Sequence, residues 1–194
     1  MSYINTLFLK IILIGETGVG KTSLRRSYLG VGFESEHLTT IGADFASLVK
    51  KVKDIKITFQ IWDLAGQDFF QAVRKVYYKG SLGALLIFDV TDLATLKALD
   101  SWIDELEESS GRGIIPFFIL GNKIDLVSEK KLATIKMKAQ KHVDKWEKKY
   151  KNSGFEVKLI FTSAKLGENV QEGFESLGEE IIDFLAFRKK QREN

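Results

Sequence analysis

Hydrophobic residues change their spacing repeatedly along this chain, and each change marks an element. Residues 8–14 read FLKIILI, an apolar run that passes into the glycine-punctuated stretch Gly15-Glu16-Thr17-Gly18-Val19-Gly20. Helix-like spacing then opens at Lys21 and lasts to about Leu29, giving strand, loop, helix. The polar segment VGFESEHLTTIGADF comes next and reads as a mobile loop. Residues 45–53 and 55–62 are strand-like, and in the second Ile55, Ile57, Phe59 and Ile61 alternate with polar neighbours, so one face is buried. Only the turn residue Asp54 separates these runs, which is too short for a parallel crossover and makes the pair antiparallel.

Residues 63–80 predict a second loop and helix, and 82–88 a nearly continuous apolar strand. A helix started by Asp92 carries Leu93, Leu96, Leu99, Trp102, Ile103 and Leu106 at helical spacing. The single proline, Pro116, opens the strand PFFIL, where a missing N–H is tolerated. Residues 130–151 form a basic amphipathic helix on Leu132, Ile135, Ala139, Val143, Trp146 and Tyr150, broken by Gly154 before the strand VKLIF. A last helix uses Phe174, Leu177, Ile181, Phe184 and Leu185 and ends in RKKQR. Strands alternating with helices predict an α/β domain with a mainly parallel sheet, mixed by the one antiparallel pair.

Composition narrows the function classes. A chain of 194 residues with 44% hydrophobic content and one proline fits a single domain with ample core and excludes disordered and fibrous classes. Zero cysteines exclude a disulfide framework, thiolate catalysis and cysteine metal sites within this sequence, and with Ser2 at the second position the expectation is a chain without a lipid motif. The N-terminus MSYINTLFLK lacks a basic region and a cleavage site, and no apolar run reaches membrane-spanning length. The expectation is a soluble cytoplasmic monomer, peripheral at membranes at most. A net charge of +3 is too small to imply nucleic acid, and DNA is not expected. The lysine-rich helix is either a solvated face or a site for an anionic partner. The basic tail 188–192 reads as a frayed helix end, against a weaker reading in which it is drawn to anionic lipid by about 1 kcal/mol per basic residue, marginal without a lipid anchor.

The chemistry starts at residues 15–22. Gly15, Gly20, Lys21 and Thr22 fit the phosphate-binding spacing G-x-x-x-x-G-K-[ST]. Its glycines let backbone N–H groups turn inward around an anion, and the following helix N-terminus adds partial positive charge. Lys21 would bridge the β- and γ-phosphates and the Thr22 hydroxyl would hold Mg²⁺, with Thr17, Gly18, Val19 and Ser23 completing the cradle. In WDLAGQ, Asp63 suits Mg²⁺ coordination through water, Gly66 can offer its N–H to the γ-phosphate, and Gln67 can orient an attacking water. Thr40, in HLTTIG, would complete the metal shell. In GNKID, Asp125 would accept from the ring N–H and exocyclic amine of guanine together; adenine offers no such donor pair. Asn122 would tie loops together, and the Lys123 stem would cover the base. In TSAK, the Ala164 N–H would meet the guanine carbonyl, beside Ser163 and Lys165.

With GETGVGKTSL, TIGADF, WDLAGQDFF, YYKG, GNKID and TSAK in this order, the chain resembles the Ras superfamily of small GTPases, and within it the Rab family most. The resemblance covers residues 7 to about 187, so 1–187 reads as the GTPase domain and 188–194 as a basic tail. It implies a P-loop NTPase fold, a six-stranded, mostly parallel sheet flanked by about five helices. It also implies that residues 31–44 and 64–79 act as switches I and II, and that Phe33 stacks near guanine. Phe45, Trp62 and Tyr77 match the aromatic triad with which Rab-like proteins face effectors, against the plainer reading of core aromatics.

Departures stand beside the likeness. Thr17 replaces the glycine of Ras and the serine of many Rabs, adding bulk beside the γ-phosphate that could slow hydrolysis. Leu64 replaces a usual threonine, Asp68-Phe69 a usual Glu-Arg, and His37 a tyrosine.

The functional expectation is a Mg²⁺-dependent switch that binds GTP and GDP and hydrolyses GTP slowly by in-line attack of water. Lys21, Gly66 and Gln67 would serve the chemistry. No arginine finger is identifiable in cis, so an activating protein, an exchange factor and effectors are the expected partners; in the related Ras an activator's arginine raises turnover about 10⁵-fold. Three alternatives compete: a nucleotide-locked interaction module with negligible turnover, an RNA-associated GTPase using the lysine helix, and an ATP-using P-loop enzyme, which Asp125 opposes.

Overall fold

A computed structural model describes residues 6–32, 40–67, 69 and 71–193. Its order is β1 (Leu7–Ile14), α1 (Lys21–Tyr28), β2 (Ala43–Val52), β3 (Ile55–Leu64), α2 (Gln71–Tyr78), β4 (Gly83–Asp89), α3 (Ala94–Ser109), β5 (Phe117–Asn122), α4 (Glu129–Tyr150), β6 (Lys158–Thr162) and α5 (Val170–Glu193). A 3-10 turn, Ile124–Leu126, follows β5.

The strands form one sheet in the order β2-β3-β1-β4-β5-β6. β2 and β3 pair antiparallel around the turn at Lys53 and Asp54, both at positive φ, and every other neighbouring pair is parallel. This is the mixed sheet that the short Asp54 connection predicts. β4 and β5 are buried along their whole length, as expected of central strands covered on both faces. β3 keeps its alternation, with Ile57, Phe59 and Ile61 fully buried.

Two cores lie on opposite faces of the sheet. α2, α3 and α4 cover one through Tyr78, Leu99, Trp102, Leu106, Val143 and Trp146. α1 and α5 cover the other through Leu24, Tyr28, Phe174, Leu177 and Ile181. The helical periodicities read from the sequence are thus the buried faces. α5 runs on through the basic segment to Glu193.

Two features of this topology aim the site. β1 has β3 on one side and β4 on the other, so the chain changes direction across the sheet at its carboxyl end, where ligands bind in open α/β folds. The ends of β3 and β5 lie on either side of that point, in register with β1 and β4.

Candidate functional site

The loop between β1 and α1 is shaped by glycines at Gly15 (φ 135°), Gly18 (φ 79°) and Gly20 (φ 99°). These angles are closed to most side chains. Gly20 is also the N-cap of α1 and has no side-chain cap, so the first N–H groups of the helix stay directed at the loop. Lys21 curls back under it, and its buried Nζ donates to the carbonyls of Gly15 and Glu16 at 2.8 Å each. Burial lowers the Lys21 ammonium to about 8, with the Asp63 and Glu16 carboxylates pulling the other way.

Thr22, Thr40 and Asp63 meet beside this lysine. The Thr22 hydroxyl donates to Asp63 Oδ2 at 2.5 Å and lies 3.0 Å from the Thr40 hydroxyl, which is itself 3.5 Å from the same carboxylate oxygen. Asp63 is fully buried and its Oδ1 has no hydrogen-bond partner among the described residues. Burial raises its carboxyl above the usual range, against the Thr22 hydrogen bond and the Lys21 charge. Two neighbouring ligands of an octahedral Mg²⁺ at 2.0–2.1 Å are separated by about 2.9 Å. The Thr22–Thr40 separation of 3.0 Å matches that edge, and the orphaned, buried Asp63 oxygen is the kind of group that a cation with its water shell satisfies. The donor set is all oxygen, as a hard cation requires.

Asn122, at the end of β5, joins three segments. Its Nδ2 donates to the Val19 carbonyl at 2.9 Å, while its Oδ1 accepts from the Thr162 hydroxyl at 3.2 Å and the Ala164 N–H at 3.1 Å. In this structure the Ala164 N–H is therefore engaged by Asn122. Lys123 adopts a left-handed conformation (φ 71°) and pairs through Nζ with Asp89 Oδ2 at 2.6 Å, which fixes its stem along the cavity wall. Asp125 Oδ1 accepts from the Ser163 hydroxyl at 2.6 Å, and that hydroxyl accepts from the Leu166 N–H at 3.1 Å. Asp125 is thereby oriented, and its second oxygen has no hydrogen bond among the described residues.

These groups surround a cavity of about 400 Å³ lined by Thr17, Gly18, Gly20, Lys21, Thr22, Ser23, Thr40, Gly66, Asn122, Lys123, Asp125, Leu126, Ala164 and Lys165. Gly15, Val19, Asp63 and Ser163 stand behind this lining and act through the bonds just described. Gly66 approaches the phosphate loop closely: a Cβ built on it would lie 2.5 Å from the Thr17 nitrogen and 2.6 Å from the Gly15 oxygen. Gln67 is exposed and does not line the cavity; its carbonyl accepts from Arg74 Nη1 at 2.9 Å. Phe33, His37 and Asp68 lie outside the described residues. Phe45, Trp62 and Tyr77 form a contiguous aromatic row, with 5.0 Å between successive ring centroids. Phe45 is 46% exposed, and Trp62 and Tyr77 pack partly against the core.

Sequence reasoning missed several members of this region. Leu126 reaches the cavity because the 3-10 turn swings it beside Asp125. Asp89 pairs Lys123 because the ends of β4 and β5 are in register, Asp89 opposite Asn122. Trp102 Nε1 donates to Glu16 Oε1 at 2.9 Å, and Arg74 is bound to Glu105. No local spacing announces these pairs.

An open α/β sheet with a glycine loop, a buried lysine and an oriented carboxylate around one cavity at the switch point defines a phosphate-loop nucleotide-binding protein. A model of the Ras family matches residues 10–183. The chain is 37% identical over 178 residues to the Ypt/Rab-type GTPase ypt7 of Schizosaccharomyces pombe, covering 90% of this chain and 82% of that protein. It is 37% identical over 185 residues to the Ypt/Rab-type GTPase avaA of Emericella nidulans (94% and 86%), and 38% identical over 185 residues to the Ypt/Rab-type GTPase ypt7 of Pyricularia oryzae (94% and 86%). The chain belongs to the Ras family and is a Rab-like GTP-binding switch with GTPase activity. It binds GTP and GDP and works with regulator and effector proteins; the nucleotide-locked and RNA-associated alternatives are not favoured. No helix among the described residues is long and apolar enough to cross a membrane.

Proposed function

We propose that the cavity between the phosphate loop and the ends of β3, β5 and β6 holds GTP with Mg²⁺, and that this chain's residues hydrolyse it slowly by in-line attack of water. The observation that carries the assignment is the cluster of Thr22, Thr40 and the half-satisfied, fully buried Asp63 beside Lys21. Lys21 and the loop N–H groups would neutralise phosphate charge, and Thr22, Thr40 and Asp63 would hold the metal, Asp63 through water. Mg²⁺, held there, would supply charge neutralisation for phosphoryl transfer. Gly66 presents its N–H to the γ-phosphate, and Gln67 orients the attacking water. The uncommitted Asp125 oxygen, Lys123 and the 163–165 segment read guanine. Phe33, outside the described residues, covers the base from switch I.

Residues 1–187 act as the GTPase domain, and 188–194 as a basic tail whose described part continues α5. An activating protein and an exchange factor drive the cycle of a monomeric switch. The Phe45–Trp62–Tyr77 row presents the GTP state to effectors. Similarity to Ypt/Rab-type GTPases supports a role in vesicle traffic from the cytoplasm and the peripheral surface of membranes.

The test is nucleotide analysis of purified protein incubated with GTP and Mg²⁺, comparing wild type with Gln67→Leu and Asp125→Asn. Wild type accumulates GDP, Gln67→Leu retains GTP, and Asp125→Asn loses its preference for guanine over adenine. A wild-type protein that binds ATP as well as GTP overturns the base-site assignment. One that holds GTP as firmly as Gln67→Leu overturns the catalytic one.

A further inference from the structure

Arg74 is 3% exposed on α2, a helix whose outer face is otherwise solvated. All parts of its guanidinium are used. Nε donates to Glu105 Oε1 at 2.7 Å and Nη2 to Glu105 Oε2 at 3.0 Å, a forked pair with α3. Nη1 donates to the Gln67 carbonyl at 2.9 Å and approaches the Ala65 carbonyl at 3.5 Å. The plane of the group lies over the Trp102 ring, 4.1 Å from its centroid. Gln71 Nε2 closes the cluster on Glu105 Oε2 at 3.1 Å.

Trp102 and Glu105 are three residues apart on α3 and so share one face of it. From that face Trp102 reaches Glu16 of the phosphate loop, and Glu105, through Arg74, reaches the backbone on both sides of Gly66. The phosphate loop and the Gln67 segment therefore hang from neighbouring positions of one rigid helix. A charge-assisted contact from a buried, forked arginine fixes its acceptor more firmly than a neutral one.

We infer that Arg74 is a positioning residue for hydrolysis: through the Gln67 carbonyl it holds the segment that carries the Gln67 amide, in register with the phosphate loop across Trp102 and Glu16. The inference rests on the reading of Gln67 as the water-orienting residue. It assigns Arg74 no contact with GTP, so nucleotide affinity is left to the cavity residues.

The test is a double-mutant cycle on full-length protein loaded with GTP and Mg²⁺, measuring single-turnover hydrolysis and nucleotide affinity for wild type, Arg74→Ala, Gln67→Leu and the double variant. Arg74→Ala lowers hydrolysis by about tenfold, the rate equivalent of one charge-assisted hydrogen bond, with GTP and GDP affinity within about twofold of wild type. On the Gln67→Leu background the same substitution adds nothing, because its effect passes through Gln67. Arg74→Lys keeps a cation for Glu105 but loses the fork, and gives the same loss if Arg74→Ala proves unstable. Equal hydrolysis in wild type and both Arg74 variants overturns the inference while Gln67→Leu still blocks turnover. An additive loss in the double variant overturns it in favour of a general structural role. If Gln67→Leu itself hydrolyses normally, the reading of Gln67 fails and the inference falls with it.

Discussion

Gly66→Ala is the smallest change that tests how the end of β3 meets the phosphate loop. The added Cβ would lie 2.5 Å from the Thr17 nitrogen, 2.6 Å from the Glu16 carbonyl carbon and 2.6 Å from the Gly15 oxygen. All three are main-chain atoms of a loop already held by Lys21 and Asn122, so none can rotate out of the way. Ordinary contact begins near 3.4 Å, so the 65–67 segment must retreat by about 1 Å. The retreat carries the Gly66 N–H and the Gln67 segment away from the γ-phosphate position, and a misplacement of about 1 Å costs on the order of 10²-fold in rate. The base-reading residues and Lys21 are untouched, so GDP affinity stays near wild type. The assay is single-turnover hydrolysis of preloaded GTP beside equilibrium binding of GDP and GTP. Hydrolysis within about threefold of wild type would refute the argument, since it would mean that the contact relaxes without moving the reacting groups. A large loss of GDP affinity would refute it too, by showing that the loop rather than the β3 end had given way.

If Asp125 accepts from guanine as proposed, Asp125→Asn removes the charge and turns one of the two acceptor contacts into a donor facing a donor, weakening guanine nucleotide binding on the order of 10³-fold, read by competition with ATP. Asn122→Ala leaves the Val19 carbonyl, the Thr162 hydroxyl and the Ala164 N–H without their partner in the interior. It should cost about 3 kcal/mol in denaturant unfolding, together with nucleotide affinity. Burial pushes the Glu105 carboxyl up, but the Arg74 and Gln71 hydrogen bonds and the Arg74 charge outweigh it and leave the carboxyl below its ordinary 4.5. A carboxyl depressed in the folded state stabilises the fold above its unfolded value and loses that contribution as pH falls through its folded value. Acid unfolding followed by circular dichroism should thus show a component below about pH 4.5 that shrinks in an Arg74→Leu/Glu105→Leu variant.

Local chemistry made most of the site legible, because each motif combines a backbone requirement with a short spacing. Gly15 and Gly20 announce positive φ, Lys21 and Thr22 follow at fixed distance, and Asp63 ends a strand whose alternation is plain. The antiparallel β2–β3 pair followed from the brevity of the Asp54 turn, whereas the order of the strands across the sheet did not. What remained hidden depends on long-range register. Arg74 and Glu105 are 31 residues apart, and Glu16 and Trp102 are 86 apart. Trp102 reads equally well as a core residue at helical spacing, and it is one: its ring is 3% exposed while its N–H reaches Glu16. The same doubling hides Asp89, a strand end that becomes a partner for Lys123 only once β4 and β5 pair.

The bonds of Asn122 have a consequence for how the switch empties. Through one side chain the base loop, the 162–164 segment and the phosphate loop share a joint at the Val19 carbonyl. With the nucleotide seated as proposed, the base and diphosphate that GTP and GDP share would face this unit, which cannot tell one nucleotide from the other. Discrimination would then be left to Thr40 and Gly66, which line the same cavity from different segments. Occupancy and identity are thus registered by separate machinery, and a protein that pries the Val19 carbonyl from Asn122 loosens the base and the diphosphate in one movement.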